Sequence, residues 1–220
     1  VNVQRGGPST GQPTKVEPGD LLTAIYGSHG DAPKVVMAVS GIEDCFYSMI
    51  TARKIAETFN MVVVVLSDAS LATAQAPFPR PTFSEDWLAP PVDQNPVPEG
   101  AKPYDWDAVT GIARRFSPGQ PGGMHTVTGL AHDRLSKVAY DPQTNEESLR
   151  ARSLKLAALQ KTLRAPPVFG GADGEGGDLL LVGWGSTMGA IEEAVSRLRA
   201  EGLAVSSMHL RFLQPMPSGI

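Results

Sequence analysis

Two short apolar runs, Lys34–Ser40 and Met61–Leu66, frame the clearest pattern in the chain. Between them apolar residues recur at steps of three and four up to about Asn60, which is the spacing of an amphipathic helix. Ser40 and Glu43 have the spacing of a capping box at its start. Apolar strands on either side of a helix are typical of a parallel sheet covered on both faces, so this segment predicts a βαβ unit.

A second unit of the same kind lies near the other end of the chain. Asp178–Gly183 predicts a buried strand, and a helix is predicted over about Thr187–Glu201. Gly202 stands where a left-handed helix stop belongs, and Leu203–Leu210 predicts the next strand. Because a long stretch separates the two units, we predict two α/β domains.

The stretch between the units has a different composition. Ala76–Pro121 holds ten of the 19 prolines, which excludes a long helix or a central strand, and six of the 14 aromatic residues, which a disordered linker would lack. We predict an irregular segment that wraps over a surface or a partner. A capping box at Thr144 and Glu147 predicts a helix that ends before Pro166, and Gly170–Gly177 is the candidate for a flexible linker.

Composition narrows the class of protein. The 220 residues are 41% hydrophobic and 19% charged, as in soluble globular proteins, and no apolar run is long enough to span a membrane. A net charge of −4 without a basic stretch argues against nucleic-acid binding. The single cysteine, Cys45, excludes an internal disulfide framework and makes a reducing cytoplasm the expected location. No signal peptide is evident, and both ends fall inside patterned segments, so we expect a fragment.

The sharpest candidate for function is Arg5–Gly11, Arg-Gly-Gly-Pro-Ser-Thr-Gly. Glycines leave the backbone open to a ligand, and Pro8 stiffens the turn. The guanidinium of Arg5 offers a planar fork suited to a carboxylate or phosphate, and Ser9 and Thr10 add hydroxyl groups. An exposed surface turn is the alternative interpretation.

A second polar loop, Gly27–Asp31, contains Ser28, His29 and Asp31, and its His–Asp pair could serve acid–base chemistry. Glycine-rich turns with Ser and Asp are also common without any function.

Other candidates favour structural roles. Gly183–Gly189 could hold a phosphate, but Met188 stands where a nucleotide fingerprint needs Gly or Ala. His125 and His132 lack a third ligand at suitable spacing, so we expect no metal site. Cys45 lies on the apolar stripe of its helix, which predicts an inert thiol, and His209 alternates with core positions in a strand.

Several of these motifs together resemble one family. Val3–Lys15, Gly19–Leu22 and Gly27–Asp31 are similar to the alpha subunit of 2-oxoacid:ferredoxin oxidoreductases, most closely the 2-oxoglutarate type. The resemblance continues through Thr128–Asp133 to Leu179–Pro217, which is similar to the start of a transketolase C-terminal-like domain. It implies a partial, parallel-sheet, pyrimidine-type domain for thiamine diphosphate over 1–135, a connector and linker over 136–177, and a partial transketolase C-terminal-like α/β domain over 178–220.

The resemblance also implies an activity. Such enzymes oxidatively decarboxylate a 2-oxoacid with coenzyme A and reduce ferredoxin, using thiamine diphosphate and Mg²⁺ shared with a beta subunit that also carries a [4Fe-4S] cluster. Arg5 matches the family arginine that contacts the substrate carboxylate, with Ser9 and Thr10 beside it. Ser28, His29 and Asp31 would form an active-site or interface loop.

Two features depart from the family pattern. The substrate loop and the glutamate that activates the cofactor would lie before Val1, so no residue of this chain is assigned a bond-making role and the fragment alone is expected to be inactive. Ala131 stands where many relatives carry Glu. The competing interpretation is a non-catalytic α/β scaffold that only binds a partner chain.

Overall fold

The computed structural model describes residues 1–171 and 177–220, so the centre of the predicted Gly170–Gly177 linker lies outside the described residues. In chain order the elements are β1 (Asn2–Gln4), α1 (Leu21–Tyr26), β2 (Val35–Ala38), α2 (Ile42–Phe59), β3 (Val63–Asp68), α3 (Ala69–Thr73), α4 (Pro142–Gln160), β4 (Val168–Phe169), β5 (Leu179–Trp184), α5 (Met188–Ala200), β6 (Val205–Leu210) and β7 (Phe212–Gln214).

The first sheet has the strand order β1–β3–β2–β7. Strands β1, β3 and β2 are parallel, and β7 runs antiparallel beside β2. Met37 and Val65 pack against α2 through Ala52, whereas Val36 and Leu66 pack on the other face against a cluster that includes α1. The predicted βαβ unit is confirmed, and both of its faces are covered.

The second sheet has the order β4–β6–β5, with β5 and β6 parallel as predicted. The prediction that β5 is buried is wrong, since Leu180 and Val182 are 45% and 54% exposed. Strand β5 lies at the sheet edge, and α5 covers only one face. On that face Gly183 approaches Ile191 so closely that a Cβ on the glycine would lie 2.3 Å from its Cδ1.

The two sheets are joined directly by the chain. After β6 the backbone passes through Arg211 and enters the first sheet as β7. The Arg211 guanidinium donates hydrogen bonds to the Asp44 carboxylate and to the Ser48 hydroxyl of α2. The division of the chain into domains at 135 and 177 stays a prediction.

Both predicted helix starts are displaced. The cap of α2 is Gly41, and Asp44 rather than Glu43 reaches back, accepting from the Ser40 amide at 2.9 Å. Helix α4 begins before Thr144, at Pro142, whose missing N–H costs nothing in the first turn. The Asp141 carboxylate caps it by accepting from the Thr144 amide at 2.8 Å.

The proline-rich segment is irregular, as predicted, with one short 3₁₀ turn at Glu85–Trp87. Of the two predicted alternatives, a surface or a partner, the structure shows this segment packed on the surface of this chain, against α2 and α4. The Trp87 ring lies 5.9 Å from Phe46 and 5.8 Å from Tyr47 of α2. Gly111 meets α4 so closely that a Cβ there would lie 2.0 Å from the Ala151 carbonyl oxygen.

None of the helices within 1–171 and 177–220 combines the length and the apolar character needed to cross a bilayer.

Candidate functional site

The carboxyl ends of β1, β3 and β2 meet at one edge of the first sheet because the three strands are parallel. Ligands of open α/β sheets bind at this edge. Arg5 follows β1, Asp68 ends β3 and Ser40 follows soon after β2. The turn between β5 and α5 lies against the same edge, since a Cβ on Gly185 would lie 4.0 Å from the Asp68 Oδ2.

Arg5 is half-buried, and its guanidinium is held by its own loop. Nη1 donates to the Thr10 carbonyl oxygen and Nη2 donates to the Ser9 carbonyl oxygen. A guanidinium has five N–H groups, so three remain for another acceptor. The side chains of Ser9 and Thr10 are exposed beside it. The sequence-predicted substrate-binding residues Arg5, Ser9 and Thr10 therefore lie together in one turn.

Close backbone contacts give this turn its shape. The Gln12 amide donates to the Gly6 carbonyl at 2.7 Å, and the Gly6 amide donates to the Lys15 carbonyl at 2.9 Å. Gly11 has φ +41°, and a Cβ there would lie 2.3 Å from the Gly6 carbonyl oxygen. The Gly7 amide donates to the Glu17 carboxylate at 3.1 Å. Only glycine fits at position 11, so this glycine is needed for loop closure.

Gln4 lies directly before Arg5 and is 2% exposed. Its Nε2 donates to the Ser67 carbonyl of β3 at 3.3 Å, and its Oε1 accepts from the Asp20 amide, before α1, at 3.2 Å. Sequence reasoning missed this residue. The sequence feature that could have pointed to it is a carboxamide side chain directly before Arg5, at the end of β1.

A cavity of about 290 Å³ opens beside the base of the loop. Gln4 and Asp68 line it from the first sheet, and Val16 and Pro18 line it from the return of the loop. The turn from Gly183 to Thr187 forms its far wall. Arg5 itself does not line this cavity, although Val16 and Pro18 of the same loop do. Part of the Gly183–Gly189 turn thus lines a cavity at the carboxyl edge of the first sheet. Its sequence pattern had favoured a structural role.

The second predicted loop is at the opposite edge of the sheet. Ser28, His29 and Asp31 are exposed and precede β2, whereas Arg5 follows β1. The Lys34 ammonium donates to the Ser28 hydroxyl at 2.6 Å. Ser28, Asp31 and Lys34 line an open groove of about 690 Å³ with α4 and β7. Within this chain the structure does not bring the two predicted loops together.

The remaining candidates occupy structural positions. His125 and His132 pack on Tyr104, with ring centroids 6.0 and 4.0 Å from it. In the described parts of the chain, no three or more His, Cys, Asp or Glu side chains gather closely enough to hold a metal ion. Burial raises the pKa of the Cys45 thiol, and the Asp44 and Asp68 carboxylates raise it further, as expected of an inert thiol. Burial lowers the pKa of the His209 imidazole.

Comparison with known proteins identifies the family of this chain. The sequence profile of the family described as "Pyruvate flavodoxin/ferredoxin oxidoreductase, thiamine diP-bdg" matches residues 1–150, which include the whole first βαβ unit and the Arg5 loop. The chain belongs to this family. Membership confirms the resemblance found in the sequence and the thiamine-diphosphate type of α/β domain.

Members of this family and a solved structure are similar over nearly the whole chain. The 2-oxoglutarate oxidoreductase subunit KorA of Mycobacterium tuberculosis is 37% identical over 100% of this chain and 33% of its own length. The 2-oxoglutarate synthase subunit KorA of Methanocaldococcus jannaschii is 27% identical over 100% of this chain and 57% of its own length. The structure of the 2-oxoglutarate:ferredoxin oxidoreductase of Magnetococcus marinus, with 2-oxoglutarate, coenzyme A and succinyl-CoA bound, has a TM-score of 0.87 and is 38% identical, covering 98% of this chain and 37% of that one.

The chain therefore spans between about a third and three fifths of the length of these relatives.

Proposed function

We propose that the chain is part of the alpha subunit of a thiamine-diphosphate-dependent enzyme. The enzyme oxidatively decarboxylates a 2-oxoacid, with 2-oxoglutarate as the first candidate, to an acyl-CoA and carbon dioxide and reduces ferredoxin. The observation that carries the proposal is the Arg5 guanidinium, oriented by two carbonyl groups at the carboxyl edge of a family domain. The names of the similar KorA subunits support 2-oxoglutarate as the substrate.

Arg5 binds the carboxylate of the 2-oxoacid in this proposal. Its two bonds to loop carbonyls fix the plane of the guanidinium before substrate arrives, and three N–H groups stay available for the anion. Fixing a reactant in one orientation lowers the entropic part of the barrier. Ser9 and Thr10, whose side chains are exposed in the same turn, add two hydroxyl groups as further donors.

The donor set of this chain fits the substrate end of a thiamine diphosphate site. A guanidinium and two hydroxyl groups suit an anionic substrate. Among the described residues, one carboxylate, that of Glu17, forms a hydrogen bond with the Arg5–Gly11 loop, and it accepts from the Gly7 amide. When bound, thiamine diphosphate stores the electron pair released by decarboxylation. We expect the beta subunit to supply the sites for the diphosphate, Mg²⁺ and the [4Fe-4S] cluster.

The same proposal defines the partners and the place of the enzyme. Coenzyme A is the co-substrate, ferredoxin is the electron acceptor, and the cytoplasm is the expected compartment. We assign Ser28, His29 and Asp31 to a surface contact rather than to substrate binding, because their loop lies at the opposite edge of the sheet from Arg5.

The test uses the full-length alpha subunit purified with the beta subunit encoded with it. Reduction of a viologen dye is followed with 2-oxoglutarate, pyruvate or a branched-chain 2-oxoacid, with and without coenzyme A. The proposal expects reduction that requires both a 2-oxoacid and coenzyme A, fastest with 2-oxoglutarate. A stable complex in which none of the three 2-oxoacids supports reduction of the dye would instead support a non-catalytic scaffold.

A further inference from the structure

We propose that Gln4 is a positioning residue for Arg5: its buried carboxamide ties the loop of residues 5–19 to the sheet and thereby sets where the guanidinium meets the substrate. The inference rests on the proposed function of Arg5. Gln4 touches no reacting atom in this account, and it acts through the residue that follows it.

The carboxamide joins two elements that the loop must connect. Its N–H donates to Ser67, at the end of β3, and its oxygen accepts from the amide of Asp20, where the loop returns to α1. The Gln4 side chain thus contacts both the sheet where the loop begins and the residue at which the loop ends. Because Gln4 is only 2% exposed, the loss of one of these bonds leaves a buried polar group without its protein partner.

The bonds that shape the rest of the loop are internal to it. Gly6 binds Lys15 and Gln12, Gly7 binds Glu17, and Arg5 binds the Ser9 and Thr10 carbonyls. These bonds keep the loop compact but do not set its direction relative to the sheet. Backbone pairing of β1 with β3 fixes where the loop begins, and the Gln4 side chain joins this point to the return of the loop at Asp20. We therefore assign the orientation of Arg5 to this side chain together with the strand pairing.

The chemistry of the site requires both a donor and an acceptor. A carboxamide supplies both at one side-chain length, whereas an ionised carboxylate of the same shape only accepts and would face the Ser67 carbonyl oxygen. A protonated carboxyl group can donate to Ser67 and accept from Asp20, so Gln4→Glu is a variant whose geometry depends on pH. Gln4→Met keeps the volume and loses both bonds at every pH.

The chain offers a matched control in Gln120. This glutamine is 6% exposed, donates to the Asn95 carbonyl and accepts from the Ser117 amide at 3.1 Å. It bridges two backbone segments as Gln4 does, but within the proline-rich segment. Gln120→Glu therefore reproduces the general cost of placing a carboxyl group at a buried carboxamide site.

The experiment compares wild type, Gln4→Met, Gln4→Glu and Gln120→Glu in the intact complex. Melting temperature, kcat and KM for the 2-oxoacid are measured between pH 6 and pH 8. We expect Gln4→Met to lower kcat/KM by about ten- to a hundredfold, mainly through KM, as a misplaced binding group does. Burial raises the pKa of an introduced carboxyl group, so the KM of Gln4→Glu should approach the wild-type value as pH falls. Gln120→Glu should lower the melting temperature and leave KM unchanged.

Three results would overturn the inference. These are an unchanged KM in Gln4→Met, an equal rise of KM in Gln120→Glu, and a KM ratio of Gln4→Glu to wild type that does not vary with pH. The last result decides the matter if Gln4→Met does not assemble. If the wild-type complex turns over no 2-oxoacid, the proposed function fails on its own. Hydrogen exchange at the Gly6, Gly7 and Gln12 amides, faster in a Gln4 variant than in Gln120→Glu, still tests the tie between Gln4 and the loop.

Discussion

The loops Arg5–Gly11 and Gly27–Asp31 have similar compositions and opposite places in the fold. Both combine glycines with at least one hydroxyl side chain and a charged residue. The first follows a strand and stands at the carboxyl edge of the parallel sheet, whereas the second precedes a strand and stands at the amino edge. Residue types alone cannot separate a binding loop from a connecting loop, because the direction of the adjoining strand decides which edge the loop occupies.

The loops also differ in how tightly they are built. Gly11 lies against the Gly6 carbonyl, while nothing approaches within 4 Å of the place of a Cβ on Gly30, although both have positive φ angles of +41° and +62°. The first loop orients the charged group of Arg5 through two backbone carbonyls. In the second loop the Gly27 amide donates to the Thr23 carbonyl at 2.8 Å, and the bond from Lys34 to Ser28 joins two flexible side chains, so no charged group is held by the backbone of the loop in the same way. Pre-organisation therefore distinguishes the loop proposed to bind substrate.

The largest effect on catalysis is expected at Arg5. Arg5→Ala in the complete complex should cost about 2–4 kcal/mol in kcat/KM for the 2-oxoacid, the loss of a charged positioning group. This corresponds to roughly 30- to 900-fold. Steady-state kinetics measure it, with Asp31→Ala as the matched change in the other loop. An unaltered kcat/KM for Arg5→Ala, or an equal loss for Asp31→Ala, would erase the distinction between the loops.

The next effect concerns the two glycines. Gly11→Ala should destabilise the protein by about 2–5 kcal/mol, since strain at positive φ adds to a backbone clash that cannot be relieved without moving the loop. Gly30→Ala meets only the strain and should cost about 1–2 kcal/mol. Thermal or denaturant unfolding of the two variants compares them. Equal decreases in the free energy of unfolding for the two variants would mean that the close contact at Gly11 does not contribute to stability.

The smallest effect is expected at Lys34. Lys34→Met removes the bond to Ser28 at a surface, so the free energy of unfolding should change by no more than about 0.5 kcal/mol. The kcat/KM of the complex should stay at the wild-type value. A large loss of turnover without a loss of stability would show that the Gly27–Asp31 loop reaches a reactive site in the assembly, contrary to its assignment as a surface contact.

Local periodicity predicted the elements well where neighbours along the chain set the environment. The extent of α2 follows from its apolar spacing, and Gly202 occupies the left-handed region with φ +88° as its position suggested. Helix starts were less predictable because several residues compete for a cap. At α2 the Asp44 carboxylate, rather than that of Glu43, accepts from the Ser40 amide, and at α4 the cap is Asp141 rather than Thr144.

The charged residue of the candidate site, Arg5, was predictable from the sequence, whereas the residue that ties its loop to the sheet, Gln4, was not. Arg5 stands out by chemistry and by resemblance to the family, so sequence alone brought it forward. Gln4 has no unusual spacing, and its importance comes from Ser67 and Asp20, which lie 63 and 16 positions away. The exposure of β5 was missed for a related reason, since an apolar run does not tell whether a further element covers its second face.

The amino-acid sequence by itself determined the two βαβ units, the irregular proline-rich segment and the family, because apolar spacing, proline content and a dense motif act locally. Only the tertiary structure decided which edge each glycine-rich loop occupies, that β7 returns to the first sheet, and which buried carboxamide holds the Arg5 loop. These depend on strand direction and on contacts between residues far apart in the chain, and no local pattern encodes them.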